Sequence, residues 1–339
     1  MITVSVCMIV KNEEKVLARC LDSLKGIYDE LIIVDTGSTD STKSIAGKYT
    51  DKIFDFEWTG DFSDARNFSI SKATCDYFYT ADADEVLDEE NRRKFMYLKK
   101  ALLPEVEIVE MRYTNQLSNG TVYNFDTEYR AKLYKRIRNF TFIEPVHEMV
   151  RTEPVVFESD IDIIHMPESL HTERDIAVFE RTVAKEGRLS DRLVKMYARE
   201  LMISGKCEHF TRAKDFFEGL TEDENTSKDS LRLSYIVLAK AALLENDSAS
   251  LLKYALKDVI SEGSSELCSI LGSFFEAAKD YKEAAMWYYN ARYETTPEIS
   301  LSYSETVPLE GLVRVYRAMG DDATADSYLK EKSELGIEK

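Results

Sequence analysis

Asp82-Ala83-Asp84-Glu85 closes the aromatic run Tyr77-Phe78-Tyr79-Thr80-Ala81, and its two aspartates are spaced i, i+2. At the end of a strand, that spacing lets both carboxylates approach one point. Hard divalent cations such as Mg²⁺ or Mn²⁺ take oxygen ligands of this kind, and a nucleotide diphosphate can supply others. An acidic loop capping the following helix is the plainer reading of the same residues. Upstream, Phe62-Ser63-Asp64-Ala65-Arg66-Asn67 carries a guanidinium whose fork suits a diphosphate. A salt bridge from Arg66 to Asp61, Asp64 or Asp82 is the alternative. Three of the four histidines lie between residues 147 and 171. His147 stands beside Glu148, and His165 ends an apolar, strand-like run, Ile161-Asp162-Ile163-Ile164.

These side chains need a frame. Residues 3–10 form an apolar run rich in Val and Ile, followed by Lys11-Asn12-Glu13-Glu14 and a helical pattern of Val16, Leu17, Cys20, Leu21 and Leu24. Leu31-Ile32-Ile33-Val34 is a second strand ending in Asp35-Thr36-Gly37-Ser38-Thr39-Asp40. There Gly37 admits an unusual backbone, and Ser38, Thr39 or Asp40 can cap the next helix. That helix carries Ile45 and Ala46, and Ile53–Phe56 is a third strand. Strand, helix, strand, helix, strand is the pattern of an α/β domain with a mostly parallel sheet. Ligands bind such sheets beyond the carboxyl ends of the strands, here Lys11–Glu13, Asp35–Ser38 and Asp82–Asp84. A nicotinamide-binding turn is disfavoured, because Lys11–Glu14 stands where a glycine-rich G-x-G-x-x-G would be.

Glu107–Tyr113 and Thr121–Phe125 alternate across Asn119-Gly120, a hairpin signal. Arg130, Lys132, Lys135, Arg136 and Arg138 interleave with Leu133, Tyr134 and Ile137. That segment reads as an edge strand guarded by charge, or as a local attraction for phosphates in an otherwise acidic protein.

The formal charge of the 339-residue chain is -18, from 62 acidic and 44 basic side chains. It opposes non-specific binding to nucleic acid and to anionic lipid. The five cysteines are scattered without a C-x-x-C spacing, which reads as reduced core thiols in a cytoplasmic protein. The apolar run Val4–Val10 is too short for a membrane span and lacks a basic leader.

From residue 172 onward strand signals give way to helical periodicity. Breaks at Ser204-Gly205-Lys206, Glu245-Asn246-Asp247, Ala278-Lys279-Asp280 and Met319-Gly320-Asp321 are spaced about one helix pair apart. A cluster of small and aromatic residues follows each: Phe210, Ala213, Phe216; Leu251, Tyr254, Ala255; Tyr281, Ala284, Ala285, Tyr288; Ala323, Ala325, Tyr328. These fit a tetratricopeptide-like array, whose concave face holds a peptide or a second protomer, so the partners it implies are a peptide or protein acceptor and a homodimer. A helical cap without a binding role is the alternative. The expected division is 1–171 for the α/β domain and 172–339 for the all-α helical-repeat domain.

With these residues laid out, the first half resembles a family 2 glycosyltransferase of GT-A fold. The motifs that carry the likeness are Ser5–Glu14, Ile33–Asp40, Phe62–Asn67 and Asp82–Glu85, in that order and spacing. The helical half is similar to the tails of SunS-type peptide glycosyltransferases. The resemblance implies an inverting, metal-dependent transfer from a UDP-sugar. It puts Val10, Asn12, Glu13, Asp35 and the Gly37 turn at the uridine, and Arg66 and Asp82 at the nucleotide. It implies a Mn²⁺ or Mg²⁺ ion on Asp84, with Asp82 and His165 completing its surroundings. Glu148, with His147 beside it, would take the acceptor's proton. A peptide or protein acceptor is expected, with a carbohydrate or lipid-linked acceptor as the alternative. A non-catalytic helical adaptor with a degenerate transferase domain is the reading from another class, and the intact Asp82, Asp84 and Arg66 speak against it.

Overall fold

A computed structural model describes residues 1–114, 128–143, 149–150, 154–166, 172–259 and 263–335. The chain divides into two compact units, Met1–His171 and Thr172–Lys339.

The first unit is built on a mixed sheet that has eight strands among the described residues. In chain order these are β1 (Val4–Val10), β2 (Glu30–Asp35), β3 (Ile53–Asp55), β4 (Tyr77–Ala81), β5 (Glu85–Val86), β6 (Ile108–Thr114), β7 (Glu128–Lys135) and β10 (Val156–His165). The short strands β8 (Phe142–Ile143) and β9 (Met149–Val150) pair antiparallel with each other. The spatial order is β3-β2-β1-β4-β7-β6-β10-β5. The first four strands are mutually parallel, in register Val10↔Asp35 and Met8↔Ala81. Helices α1 (Leu17–Ser23), α2 (Thr42–Ala46), α3 (Phe62–Ser71) and α4 (Glu89–Ala101) connect the early strands. β1, β2 and β4 are buried almost throughout, as expected of strands covered on both faces. α3 starts where the Asp61 side chain accepts from the Ser63 amide, and α4 where Asp88 accepts from Asn91, both N-caps.

Two features of this sheet position the site. First, the chain passes from Ala81 at the end of β4 to Glu85 at the start of β5 in four residue steps, at most about 14 Å. In a flat sheet those strands would be four spacings apart, about 19 Å. The sheet therefore curls, and β10, paired to β5 through His165↔Glu85, is carried back toward the β4 tip. Second, the basic segment beginning at Arg130 is not the edge strand expected from its charge. β7 lies inside the sheet between β4 and β6. Its charges are tolerated there because they are paired: Arg130 with Glu128, Lys132 with Glu85. Along β7, Leu133 faces Val109 while Ala131 faces Glu110, so Lys132 is the extra residue of a bulge. β6 and β7 do run antiparallel, but the Asn119-Gly120 turn lies outside the described residues.

The second unit contains α5 (Thr172–Glu186), α6 (Asp191–Ser204), α7 (Cys207–Glu222), α8 (Lys228–Glu245), α9 (Ser248–Val259), α10 (Ser265–Ala277), α11 (Tyr281–Tyr293), α12 (Thr306–Ala318) and α13 (Asp322–Glu334). The four breaks read from the sequence fall between α6 and α7, α8 and α9, α10 and α11, and α12 and α13. Asn246, Lys279 and Gly320 adopt positive φ there, which ends a helix and lets the next begin. The small-plus-aromatic clusters form the packing. Tyr288 of α11 fills the space opposite Gly272 of α10 and Gly311 of α12, where an added Cβ would fall 2.7 and 2.5 Å from its ring. Its hydroxyl donates to Glu276 at 2.7 Å. Of the expected cluster residues, Ala323 is exposed and Ala325 takes the buried position.

Candidate functional site

The tips of β1 and β2 are stitched together. Ser38 Oγ accepts from the Asn12 amide at 2.9 Å, and Asn12 Oδ1 accepts from the Thr39 amide at 2.8 Å. The Glu13 amide donates to Thr42 Oγ1 at 2.7 Å. Asn12 adopts φ 56°, a left-handed conformation that asparagine tolerates. Its side-chain oxygen thus shapes the loop. Val10 is buried at the end of β1, and its carbonyl accepts from Thr36.

Asp35 ends β2 and is 3% exposed. Its Oδ2 accepts from the amides of Gly37 and Ser38, at 3.1 and 3.0 Å. That turn needs Gly37 at φ 100°. Asp35 Oδ1 is buried with no hydrogen-bond partner among the described residues. A buried acceptor left without a donor is costly, so this oxygen is suited to a ligand N–H or O–H.

On the other side of β1, Arg66 projects from α3, is buried, and donates through Nη2 to Asp82 Oδ1 at 3.1 Å. Of the three carboxylates that the sequence offered Arg66, the structure gives Asp82. Lys132 Nζ stands 3.7 Å from Asp82 Oδ2. Burial alone would raise the Asp82 carboxyl, but Lys132 and Arg66 outweigh it and hold Asp82 well below the usual carboxylate range. Lys132 also bonds to Glu85 and reaches the Thr80 carbonyl at 3.3 Å. Burial drives the Glu85 carboxyl upward, against the pull of Lys132, to about 7.

Asp84, two residues on, faces the other way. Its Oδ2 lies 3.1 Å from His165 Nε2, and its carbonyl accepts from Met166 at 3.0 Å. The curl of the sheet makes this meeting: 81 positions separate the two residues in the chain. The His165 ring rests 5.2 Å from that of Tyr113, over which the Arg130 guanidinium stacks at 3.8 Å.

The structure therefore brings Val10, Asn12, Glu13, Asp35 and Gly37 to one pair of strand tips. It brings Arg66, Asp82, Asp84 and His165 to the neighbouring tip. The β2 and β4 tips are two strand spacings apart, about 10 Å, a gap that an extended nucleoside diphosphate can bridge. Of the pair Asp84 and His165, the carboxylate suits Mn²⁺ or Mg²⁺, and the imidazole favours a transition-metal ion such as Mn²⁺ over Mg²⁺. His147 and Glu148 lie outside the described residues. Lys132, Glu85, Tyr113 and Arg130 form a cluster that no sequence motif marks. The lysine inside an alternating strand was the available signal.

Elsewhere, Glu173, Glu208 and His209 are the one group of three metal-ligating side chains brought close together among the described residues. Both ring nitrogens of His209 are engaged, Nδ1 accepting from the Lys206 amide and Nε2 facing Glu173. That arrangement holds the start of α7. No helix of the described residues is long and apolar enough to cross a membrane, and all five cysteines are free.

Residues 5–151 match the sequence profile of the family described as Glycosyl transferase family 2. The chain is 33% identical over 149 residues to the glycosyltransferase SunS of Bacillus subtilis, covering 43% of this chain and 34% of that protein. It is 31% identical over 169 residues to an uncharacterized glycosyltransferase of Rickettsia typhi, covering 48% of this chain and 55% of the relative. A TPR repeat-containing protein of Synechococcus elongatus is 49% identical over 87 residues, which are 26% of this chain and 22% of that one. The chain thus spans between 22% and 55% of the length of these relatives. Among solved structures, glucosyl-3-phosphoglycerate synthase from Mycobacterium tuberculosis with Mg²⁺ and uridine diphosphate aligns with a TM-score of 0.40 at 15% identity. The alignment covers 56% of this chain and 81% of that one.

Proposed function

We propose that this chain, whose residues 5–151 match the profile of glycosyl transferase family 2, transfers a sugar from a UDP-sugar to a peptide or protein side chain, with inversion and with a divalent cation. The observation that carries the reading is the convergence at the strand tips. Asp35 keeps a buried acceptor without a partner, and Arg66 and Asp82 pair across from it. Asp84 stands with His165 beyond them.

In this reading Asp35 Oδ1 accepts from the uracil imide or a ribose hydroxyl. Arg66 is held by Asp82 at the height of the diphosphate and offsets its charge through fixed hydrogen bonds. Asp84 and His165 would hold Mn²⁺ or Mg²⁺, which supplies neutralisation of the leaving diphosphate. Glu148, which the family resemblance puts on the acceptor side, takes the acceptor proton, a contribution of about 10²–10⁴ in rate. Inversion by direct displacement needs one such base. We assign the donor site to residues 1–171 and the presentation of a polypeptide acceptor to the helical residues 172–339. Packing of small and aromatic residues, as at Gly272, Tyr288 and Gly311, supports a stacked repeat of the kind that offers an extended binding face.

The test is a mass-spectrometric screen of UDP-sugars against candidate peptides, with and without Mn²⁺. A mass increment of one sugar on a peptide, dependent on the cation, is the expected outcome. UDP-sugar turnover that proceeds only with a carbohydrate or lipid-linked acceptor would contradict the peptide reading. Absence of any turnover or UDP binding would contradict the transferase reading.

A further inference from the structure

The acidic turn is held by more than its own aspartates. Asp82 is fixed at four points. Its amide donates to Glu85 Oε2 at 3.2 Å, and its carbonyl accepts from the Cys20 thiol at 3.3 Å. Its carboxylate lies between Arg66, at 3.1 Å, and Lys132, at 3.7 Å. Lys132 connects these points. It is 5% exposed and comes from the interior of the sheet. It is the extra residue of the β7 bulge, a device that re-aims a side chain beside a functional site. Its ammonium reaches the Glu85 carboxylate and the Thr80 carbonyl, so one cation ties the last residue of the turn to the strand before it.

We infer that Lys132 is a positioning residue of the site: from the β7 bulge it clamps the turn Asp82–Glu85, keeps the Asp82 carboxylate on Arg66, and leaves Asp84 as the carboxylate available to a cation. This inference rests on the donor-site reading above. The charges agree with it. Arg66 and Lys132 match Asp82 and Glu85 within the turn, while Asp84 stands outside that set with His165. Stability gives a weaker reason for the arrangement, because apolar or neutral groups of similar size often replace a buried ion pair without loss. A lysine that only filled space would be replaceable in the same way.

The experiment is the double variant Lys132→Met/Glu85→Gln, which removes both charges at nearly constant volume. It is expected to unfold within a few degrees of the wild type. In its crystal structure Asp82 leaves hydrogen-bonding distance of Arg66, and affinity for UDP in the presence of Mn²⁺ falls at least tenfold. The inference is overturned if Asp82 stays on Arg66 and UDP affinity remains within threefold of the wild type. Should the double variant fail to fold, Lys132→Gln alone removes the cation and keeps a side chain that can bond to Glu85. Asp82 is then expected off Arg66 with at least a tenfold loss of UDP affinity, and Asp82 unmoved with affinity within threefold of the wild type overturns the inference. A wild-type chain that binds no UDP would sink the donor reading, while the position of Asp82 in the variant crystal still decides the role of Lys132.

Discussion

Replacing Asp35 with asparagine separates ligand recognition from folding. The native carboxylate spends Oδ2 on the amides of Gly37 and Ser38, while Oδ1 is buried without a partner among the described residues. Asparagine is nearly isosteric, and its amide oxygen can keep both backbone bonds. Its NH₂ then takes the place of Oδ1, a donor where the native residue presents an acceptor. If Oδ1 accepts from the uracil imide or a ribose hydroxyl, the variant loses a charge-assisted bond and sets donor against donor. The first loss is about 1.5–3 kcal/mol and the second about 1–3. With partial relaxation the total is about 2–4 kcal/mol, or about 30- to 1000-fold in UDP affinity. Folding changes little, because a buried unpaired N–H replaces a buried unpaired carboxylate oxygen while the buried charge is removed. Asp35→Asn is expected to unfold at or slightly above the wild-type temperature. Calorimetric titration with UDP and Mn²⁺, alongside thermal unfolding, reads both quantities. Wild-type UDP affinity in Asp35→Asn, or a melting temperature lowered by many degrees, would refute the reasoning.

Four further outcomes follow from the same structure. Asp84→Ala is expected to abolish sugar transfer while shifting the melting temperature by only a few degrees, since Asp84 pairs with His165 at the rim and not in the core; thermal unfolding and a transfer assay check both. Glu148→Gln keeps UDP affinity and loses turnover by about 10²–10⁴, as titration and single-turnover kinetics would show. Gly311→Ala drives a Cβ into the Tyr288 ring and costs about 1–3 kcal/mol by overpacking, measurable by urea unfolding and relieved in a Gly311→Ala/Tyr288→Leu double variant. Glu200, buried in α6, has its carboxyl raised to about 8 by burial and by Asp175. The unfolded chain ionises near its ordinary value while the folded chain stays protonated, so the wild type loses stability as pH rises from about 4.5 to about 8. Glu200→Gln lacks that loss, and urea unfolding at pH 5 and pH 8 would show the two curves diverge.

The parts of the fold that were legible in the sequence are those set by local pattern. Apolar runs with abrupt polar ends gave β1, β2 and β4 and put Asp35 and Asp82 at their tips. The helix breaks were legible because Asn246, Lys279 and Gly320 take conformations that end helices. The resemblance to family 2 glycosyltransferases rests on four local motifs. The rest depends on curvature and on distant pairing. Charge made the segment from Arg130 look like an edge, and nothing nearby in the chain disclosed that Glu85 would neutralise Lys132 inside the sheet. The meeting of Asp84 with His165 follows from the curl between β4 and β5, which no periodicity records. The partnerless Oδ1 of Asp35 is a property of packing, visible only once the Gly37 turn has taken its other oxygen.

The most direct measurement is a crystal of the full chain grown with UDP and Mn²⁺. A single nucleotide is expected across the tips of β2, β1 and β4, its uridine on Asp35, its diphosphate beside Arg66, and the ion on Asp84 and His165. A nucleotide bound away from these residues, or an ion held by neither Asp84 nor His165, would contradict the donor-site reading.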